Sequence, residues 1–349
     1  MPLATAREWL TLAATNRASD LHLSSGSPAA VRINGQLTFL GNEPLLPADT
    51  REMAKELLPP SLEEYFQKNQ EADFSLTIPD VGRVRVNLFV QRGSMALAIR
   101  LIPLQIPSLD DLGLPPVIKS LAGDRLHGLV IVTGPAGSGK STTLAALVNL
   151  WNQTQSLHVI TLEDPIEYLH KNRLSLIVQR EVGSDTPSFQ QGLRAAMRED
   201  PDVILVGEMR DWETISIALT AAETGHLVLS TLHTPDAPGT INRIVDVFPP
   251  SQQQQAKVQL AGVLRGVVAQ RLLPRADRQG MILAAEVLLN TQAIRNLIRE
   301  GKSHQLPSVI QMSRHLGMTT MENAVRDLHQ RSLIDDKTFR RESGVFKEE

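Results

Sequence analysis

No cysteine occurs anywhere in the 349 residues, which excludes disulfide staples, cysteine-based zinc sites and thiol catalysis. Aromatic residues are only 4% of the chain, too few to build the stacking platforms that hold single-stranded nucleic acid. Basic charge is not in surplus either: 35 Lys and Arg against 38 Asp and Glu leave a net charge of −3, so nothing draws a polyanion to the molecule in bulk. No apolar run approaches the roughly 18 residues needed to span a bilayer. The first residues, Met1-Pro2-Leu3-Ala4-Thr5-Ala6-Arg7-Glu8, show no signal-peptide pattern. The expectation is a cytosolic chain with no direct membrane insertion, any membrane role coming through a partner. What remains is an ordinary globular composition, 42% hydrophobic and 21% charged, in a chain too long for one hydrophobic core. Two domains are expected.

The first hundred residues read as a helix (about 5–18), then short alternating strands at 20–23, 30–33 and 36–39, with the hairpin signal Asn34-Gly35 between the last two. Helical stretches at 48–58 and 61–69 precede three further strands, at 73–78, 81–90 and 95–101. Along the second of these, Val84, Val86, Leu88 and Val90 alternate with Arg83, Arg85, Asn87 and Phe89, giving one apolar and one basic face. Pro103, Pro107, Pro115 and Pro116 mark a linker over 104–119. From about 120, strands at 129–133, 158–162, 175–178, 203–206 and 227–232 alternate with helices. That is an α/β pattern with a mostly parallel, doubly wound sheet. Beyond about 255 the chain reads as helical, with one strand-like interruption near 281–289.

Within the second region, Leu129-Val130-Ile131-Val132 leads into Gly134-Pro135-Ala136-Gly137-Ser138-Gly139-Lys140-Ser141. This is a complete G-x-x-x-x-G-K-[ST] phosphate loop between a buried strand and a helix. Its glycines let successive N–H groups turn inward on a polyphosphate. Lys140 supplies a cation near the β- and γ-phosphates, the Ser141 hydroxyl can ligate Mg²⁺, and the helix through Thr142 points its positive end at the same anion. The sequence thus predicts a nucleoside triphosphate site, with ATP and Mg²⁺ as ligands.

Hydrolysis further needs carboxylates beside the γ-phosphate. Two predicted strands end in them: Thr161-Leu162-Glu163-Asp164-Pro165-Ile166-Glu167, and Asp202-Val203-Ile204-Leu205-Val206-Gly207-Glu208. Gly207 stands where many such enzymes carry a metal-binding Asp, so Mg²⁺ would be held through water or from Glu163 and Asp164. The bland alternative for the first acidic group is a solvated helix start. His226 and His233 bracket Leu227–Leu232, seven residues apart. A continuous strand would put them about 23 Å apart on opposite faces, so only one is expected to reach the nucleotide. Arg83, Arg85, Arg92 and Arg100 are either a solvated strand face or a basic surface offered to a neighbouring subunit's triphosphate.

Taken together, these stretches resemble the PilT-like ATPases, the type IV pilus retraction motors of the secretion ATPase superfamily. The resemblance rests on Ala18-Ser19-Asp20-Leu21-His22-Leu23, the phosphate loop, Thr161–Glu167, Arg198–Asp211, Ala221–His226 with Thr231–Thr234, and Ala293–Lys302. It runs in order from about 18 to 335. It implies a PAS-like α+β domain (1–103) before a RecA-like ATPase domain (120–349) with a C-terminal helical region from about 255, assembled as a homohexamer. It further implies that Glu163 lies in the acidic box, that Glu208 is the Walker B glutamate, and that His226 and His233 form the histidine box. Arg83, Arg85 and Arg100 match N-terminal arginines that approach nucleotide. Ala136 departs from the family's usual Thr, at a position that contributes mainly backbone. The four-cysteine element and longer N-terminal region of the assembly ATPases are missing from the pattern.

The implied function is a Mg²⁺-dependent motor that retracts a type IV pilus from the cytoplasmic side of the inner membrane, through a platform protein and beside a paralogous pilus ATPase. Three rivals stand beside it: an accessory nucleotide-binding subunit, an ATPase of a related secretion or conjugative pilus system, and a RecA-like nucleic-acid motor. The charge and the paucity of aromatics weigh against the last.

Overall fold

The computed structural model describes residues 5–33, 35–102, 105–121, 123, 127–278 and 280–343. Asn34 of the expected hairpin, Pro103 and residue 104 of the expected linker, and the polar tail from 344 lie outside them. The chain divides into two compact units: residues 1–105 with 167–169, and 106–166 with 170–349.

The first unit contains α1 (Ala6–Thr15), β1 (Asp20–Ser24), β2 (Ala29–Ile33), β3 (Gln36–Leu40), α2 (Pro47–Leu57), α3 (Glu63–Asn69), β4 (Glu71–Ile78), β5 (Gly82–Gln91) and β6 (Ser94–Leu101). Helix α1 starts on a reciprocal cap, with Thr5 accepting from the Glu8 amide and Glu8 reaching back to the Thr5 amide. The strands form an antiparallel sheet in the order β3-β2-β1-β6-β5-β4. Its apolar face, carrying Val84, Val86, Leu88, Leu97 and Ile99, packs with Trp9, Leu10 and Met53 of the helices. The period-two pattern of β5 thus meets its core as expected.

The second unit contains α4 (Ile118–Leu121), β7 (Gly128–Thr133), α5 (Lys140–Thr154), β8 (His158–Glu163), β9 (Leu176–Glu181), α6 (Phe189–Ala196), β10 (Val203–Val206), α7 (Trp212–Glu223), β11 (Leu227–Leu232), α8 (Ala237–Asp246), α9 (Gln253–Val263), β12 (Leu264–Pro274), β13 (Met281–Leu289), α10 (Gln292–Glu300), α11 (Leu306–Met312), α12 (Met321–Gln330) and α13 (Asp336–Ser343). The sheet order is β13-β12-β7-β11-β10-β8-β9, parallel except for the β12–β13 pair. Helices cover both faces. Leu129 and Ile131 of β7 pack toward α7, α8 and α9, whereas Val130 and Val132 face Leu144, Leu147 and Trp151 of α5. Strands β7, β10 and β11 are buried along their whole length, which is why they read as unbroken apolar runs.

One expectation is corrected. The region after 255 is not helical with a single strand, because Leu264–Pro274 is a long strand beside β7. Its sequence, LRGVVAQRLLP, is rich in helix formers and buried on both faces at its centre, so neither propensity nor alternation marks it. Parallel pairing with β7 and antiparallel pairing with β13 override the local preference. The ATPase sheet therefore extends to Leu289, and the helices that follow begin at α10.

Beneath those helices, Glu286 of β13 is buried. One carboxylate oxygen accepts the Ala237 amide at 2.8 Å and the other the Met321 amide at 3.1 Å. A single side chain thereby satisfies the first turns of α8 and α12. Burial pushes its carboxyl above the ordinary range, against the pull of these two amides.

Candidate active site

The phosphate loop leaves β7 at Thr133 and enters α5 at Lys140. Gly134, Gly137 and Gly139 all have positive φ, at 141°, 75° and 87°. Gly134 is required twice over, since a Cβ there would lie 2.3 Å from the Gln270 carbonyl oxygen and 2.6 Å from Ser138 Oγ. Strand β12 is thus the floor of the loop, and buried Gln270 also donates to Thr143 Oγ1 at 2.7 Å. Pro135, Ala136 and Gly137 form the exposed rim, while Ser141 and Thr142 are half-buried in the first turn of α5.

Helix α5 starts without a side-chain cap, and Ser138 Oγ is buried with no hydrogen-bond partner. Uncapped amides above a glycine cradle fit a polyphosphate. Lys140 Nζ lies 2.9 Å from the Gly134 carbonyl and 3.0 Å from that of Pro135. It is also 3.4 Å from His233 Nδ1. Among the described residues no group of three or more His, Asp or Glu is set to hold a metal. The Ser141 hydroxyl, in the first turn of α5, is an oxygen donor of the kind a hard cation such as Mg²⁺ takes beside phosphates and water.

The carboxylates arrive on adjacent parallel strands. Leu162 of β8 is in register with Val206 of β10, and the Gly207 amide donates to the Leu162 carbonyl at 2.7 Å. A Cβ on Gly207 would stand 3.1 Å from that carbonyl and 3.4 Å from the Glu163 Cα, so glycine lets the two strand ends close up. From β11, Ser230 Oγ donates to the Val206 carbonyl at 2.7 Å and Thr231 Oγ1 to that of Gly207 at 2.6 Å. This stitching brings the end of β11 against Glu208. The Glu208 carboxylate meets His233 Nε2 at 3.3 Å through one oxygen and the Arg210 guanidinium at 2.8 Å through the other. Partial burial works against its charge, but the hydrogen bond and charge of Arg210 and the charge of His233 outweigh that and hold the carboxyl below its ordinary range. Glu208 is an ionised acceptor at neutral pH.

Lys140, His233, Glu208 and Arg210 thus form one chain of contacts from the phosphate loop to the end of β10. His226 is not part of it. It precedes β11, with Nδ1 3.0 Å from the Ala221 carbonyl, at the opposite end of the strand from His233. Of the two histidines, it is His233 that meets both the phosphate-loop lysine and Glu208. Glu163 sits at the carboxyl end of β8, where its Oε1 accepts from Thr161 Oγ1 at 2.6 Å and Gln179 Nε2 at 3.1 Å. Asp164 is exposed beside it, and its charge is felt by Arg210.

The arginines lie on the first unit. On the face of its sheet away from the core, register aligns Arg32, Asp20, Arg100, Arg85 and Ser75 across β2, β1, β6, β5 and β4. Asp20 binds Arg100 at 3.1 Å and lies 3.9 Å from Arg32. Arg85 and Arg100 are exposed, whereas Arg83, opposite Thr77, is half-buried. Within the row Arg100 and Arg85 stand side by side as adjacent cations, which suits an incoming anion. Sequence reasoning gave no role to Arg210, Gln179, Gln270 or Glu286. Arg210 lies in a quoted motif, but a single polar residue carries no spacing signal.

The family model described as Type II/IV secretion system protein matches residues 7–340. The chain is 43% identical over 338 residues to the Type IV pilus retractation ATPase PilT of Pseudomonas aeruginosa, covering 97% of this chain and 98% of that one. It is 46% identical over 318 residues to the uncharacterized protein YggR of Escherichia coli, covering 91% and 96%. A crystal structure of the pilus retraction motor PilT with bound ADP superimposes with a TM-score of 0.91 at 46% identity, over 99% of this chain and 98% of that one.

Proposed function

The chain belongs to the type II/IV secretion system protein family and is a PilT-like ATPase, and from that premise we propose that it is a Mg²⁺-dependent hexameric motor that retracts a type IV pilus. The observation that carries the chemistry is the Glu208 carboxylate, ionised and within reach of His233, which in turn neighbours Lys140. The Gly134–Thr142 loop binds the phosphates of ATP, with Lys140 turning from its loop carbonyls to the β- and γ-oxygens and His233 lining the γ-phosphate side. Ser141, assisted by Glu163 and Asp164, holds Mg²⁺, which when bound neutralises charge on the phosphates. Glu208 orients the attacking water and accepts its proton. Arg83, Arg85 and Arg100 are supplied by a neighbouring copy and stabilise the charge of the transferred phosphoryl group.

No helix among the described residues is long and apolar enough to cross a membrane. In this reading the ring works at the cytoplasmic face of the inner membrane, where subunit motion is passed to a platform protein, with a paralogous pilus ATPase as companion. The full-length similarity to a protein named for pilus retraction supports the direction of work. The test is steady-state Mg²⁺-ATP turnover against protein concentration, for the native chain and Glu208→Gln. Turnover that rises cooperatively with concentration, and is lost in a variant that still binds ATP, is the expected result. Equal turnover in the two removes Glu208 from the chemistry. A well-assembled ring with no turnover at all turns the reading to an accessory subunit.

A further inference from the structure

The acidic-box carboxylate is held from the neighbouring edge strand. Glu163 Oε1 accepts the Gln179 amide N–H at 3.1 Å, while Gln179 Oε1 accepts the backbone N–H of His170 at 2.9 Å. The backbone donor fixes which way the amide faces: turning it over would set N–H against N–H and oxygen against carboxylate, with both bonds lost. Two residues along β9, and so on the same face of the strand, Glu181 is buried and accepts the Ile166 amide at 3.0 Å. Gln179 and Glu181 therefore brace the segment 164–170 near its two ends. Between them they set where the carboxyl end of β8 stops and where Glu163 points.

Chemistry explains why an amide stands here. An arginine or lysine at 179 would grip Glu163 more strongly but would neutralise it. Carboxamide N–H and the Thr161 hydroxyl, which donates to the same oxygen at 2.6 Å, are neutral donors that orient the carboxylate without cancelling its charge. We propose that Gln179 is a positioning residue for hydrolysis, acting on the reaction only through Glu163. The proposal rests on the reading of Glu163 as a participant in turnover.

The test compares ATP turnover in Gln179→Met, Glu163→Gln and the double variant, in the full-length protein. Methionine keeps the length and volume of the side chain and removes both donor and acceptor. Binding of a fluorescent ADP and ring assembly, measured on the same preparations, establish that each variant is folded. Gln179→Met is expected to lower kcat by about tenfold with KM for ATP and ADP affinity within about twofold of native. The double variant is expected to turn over no more slowly than Glu163→Gln alone. If Glu163→Gln turns over like the native chain, the reading of Glu163 fails. If Glu163→Gln is impaired while Gln179→Met is native, or if the methionine lowers kcat by the same factor with and without the Glu163 carboxylate, the positioning role fails.

Discussion

Replacing Glu208 with glutamine keeps the size of the side chain and removes the charge that Arg210 and His233 hold in place. The variant is expected to bind ATP normally and to lose about 10²–10³-fold in kcat, as single-turnover and binding measurements would report. At Gly134 the constraint is steric. A methyl group meets the Gln270 carbonyl, which belongs to a strand that cannot retreat, so Gly134→Ala is expected to abolish nucleotide binding in an equilibrium titration. His170 gives a pH dependence. Burial pushes its pKa from 6.5 down to about 4, and its Nδ1 has no hydrogen-bond partner. The folded state therefore resists a proton that the unfolded chain takes up. Stability is full above about pH 6.5 and falls toward pH 4, by up to about 3 kcal/mol. Denaturant titrations across that range check it, and His170→Gln is expected to flatten the acid side.

Between elements, the double cap made by Glu286 is the feature with the largest expected cost. Glu286→Ala leaves the Ala237 and Met321 amides without their acceptor in a buried place. A loss of about 3 kcal/mol is expected, with a lower thermal midpoint. Glu286→Gln, which keeps one acceptor oxygen, is expected to lose roughly half as much. Elements like these also show how far sequence reasoning reaches. The five strands read between 129 and 232 all form, because each is a short apolar run bounded by turn residues. Strand β12 escaped, since its residues favour a helix and its burial on both faces leaves no alternation. The phosphate loop was legible because motif spacing fixes its place, whereas Glu163, Glu208 and the two histidines were singled out only as polar residues at the ends of apolar strands. Gln179, Gln270 and Glu286 were not, because each acts across a distance that only the folded sheet closes.

For the assembled molecule, the arginine row makes a prediction that no single chain can satisfy. Asp20 holds Arg100 and leaves Arg85 beside it on an exposed face. If these cations serve a neighbouring copy's nucleotide, Arg85→Gln and Glu208→Gln chains are each inactive alone but complement when mixed. An interface that takes its glutamate from one and its arginine from the other is then whole, and random mixing restores at most about a quarter of native turnover. Mixtures no more active than their parents would place the arginines outside the chemistry.

Because β12 lies beside β7 and sets its Gln270 carbonyl under Gly134, the boundary of the catalytic module is not where its motifs end. Every residue that would touch ATP or Mg²⁺ in the proposed mechanism, the arginines included, is found by position 233, yet a protein shortened there has no surface for its phosphate loop to fold against. Digestion or truncation that spares the motifs but cuts before Leu264 is expected to yield a fragment unable to retain nucleotide. The smallest working enzyme has to run past Leu289, where the hairpin partner of β12 ends.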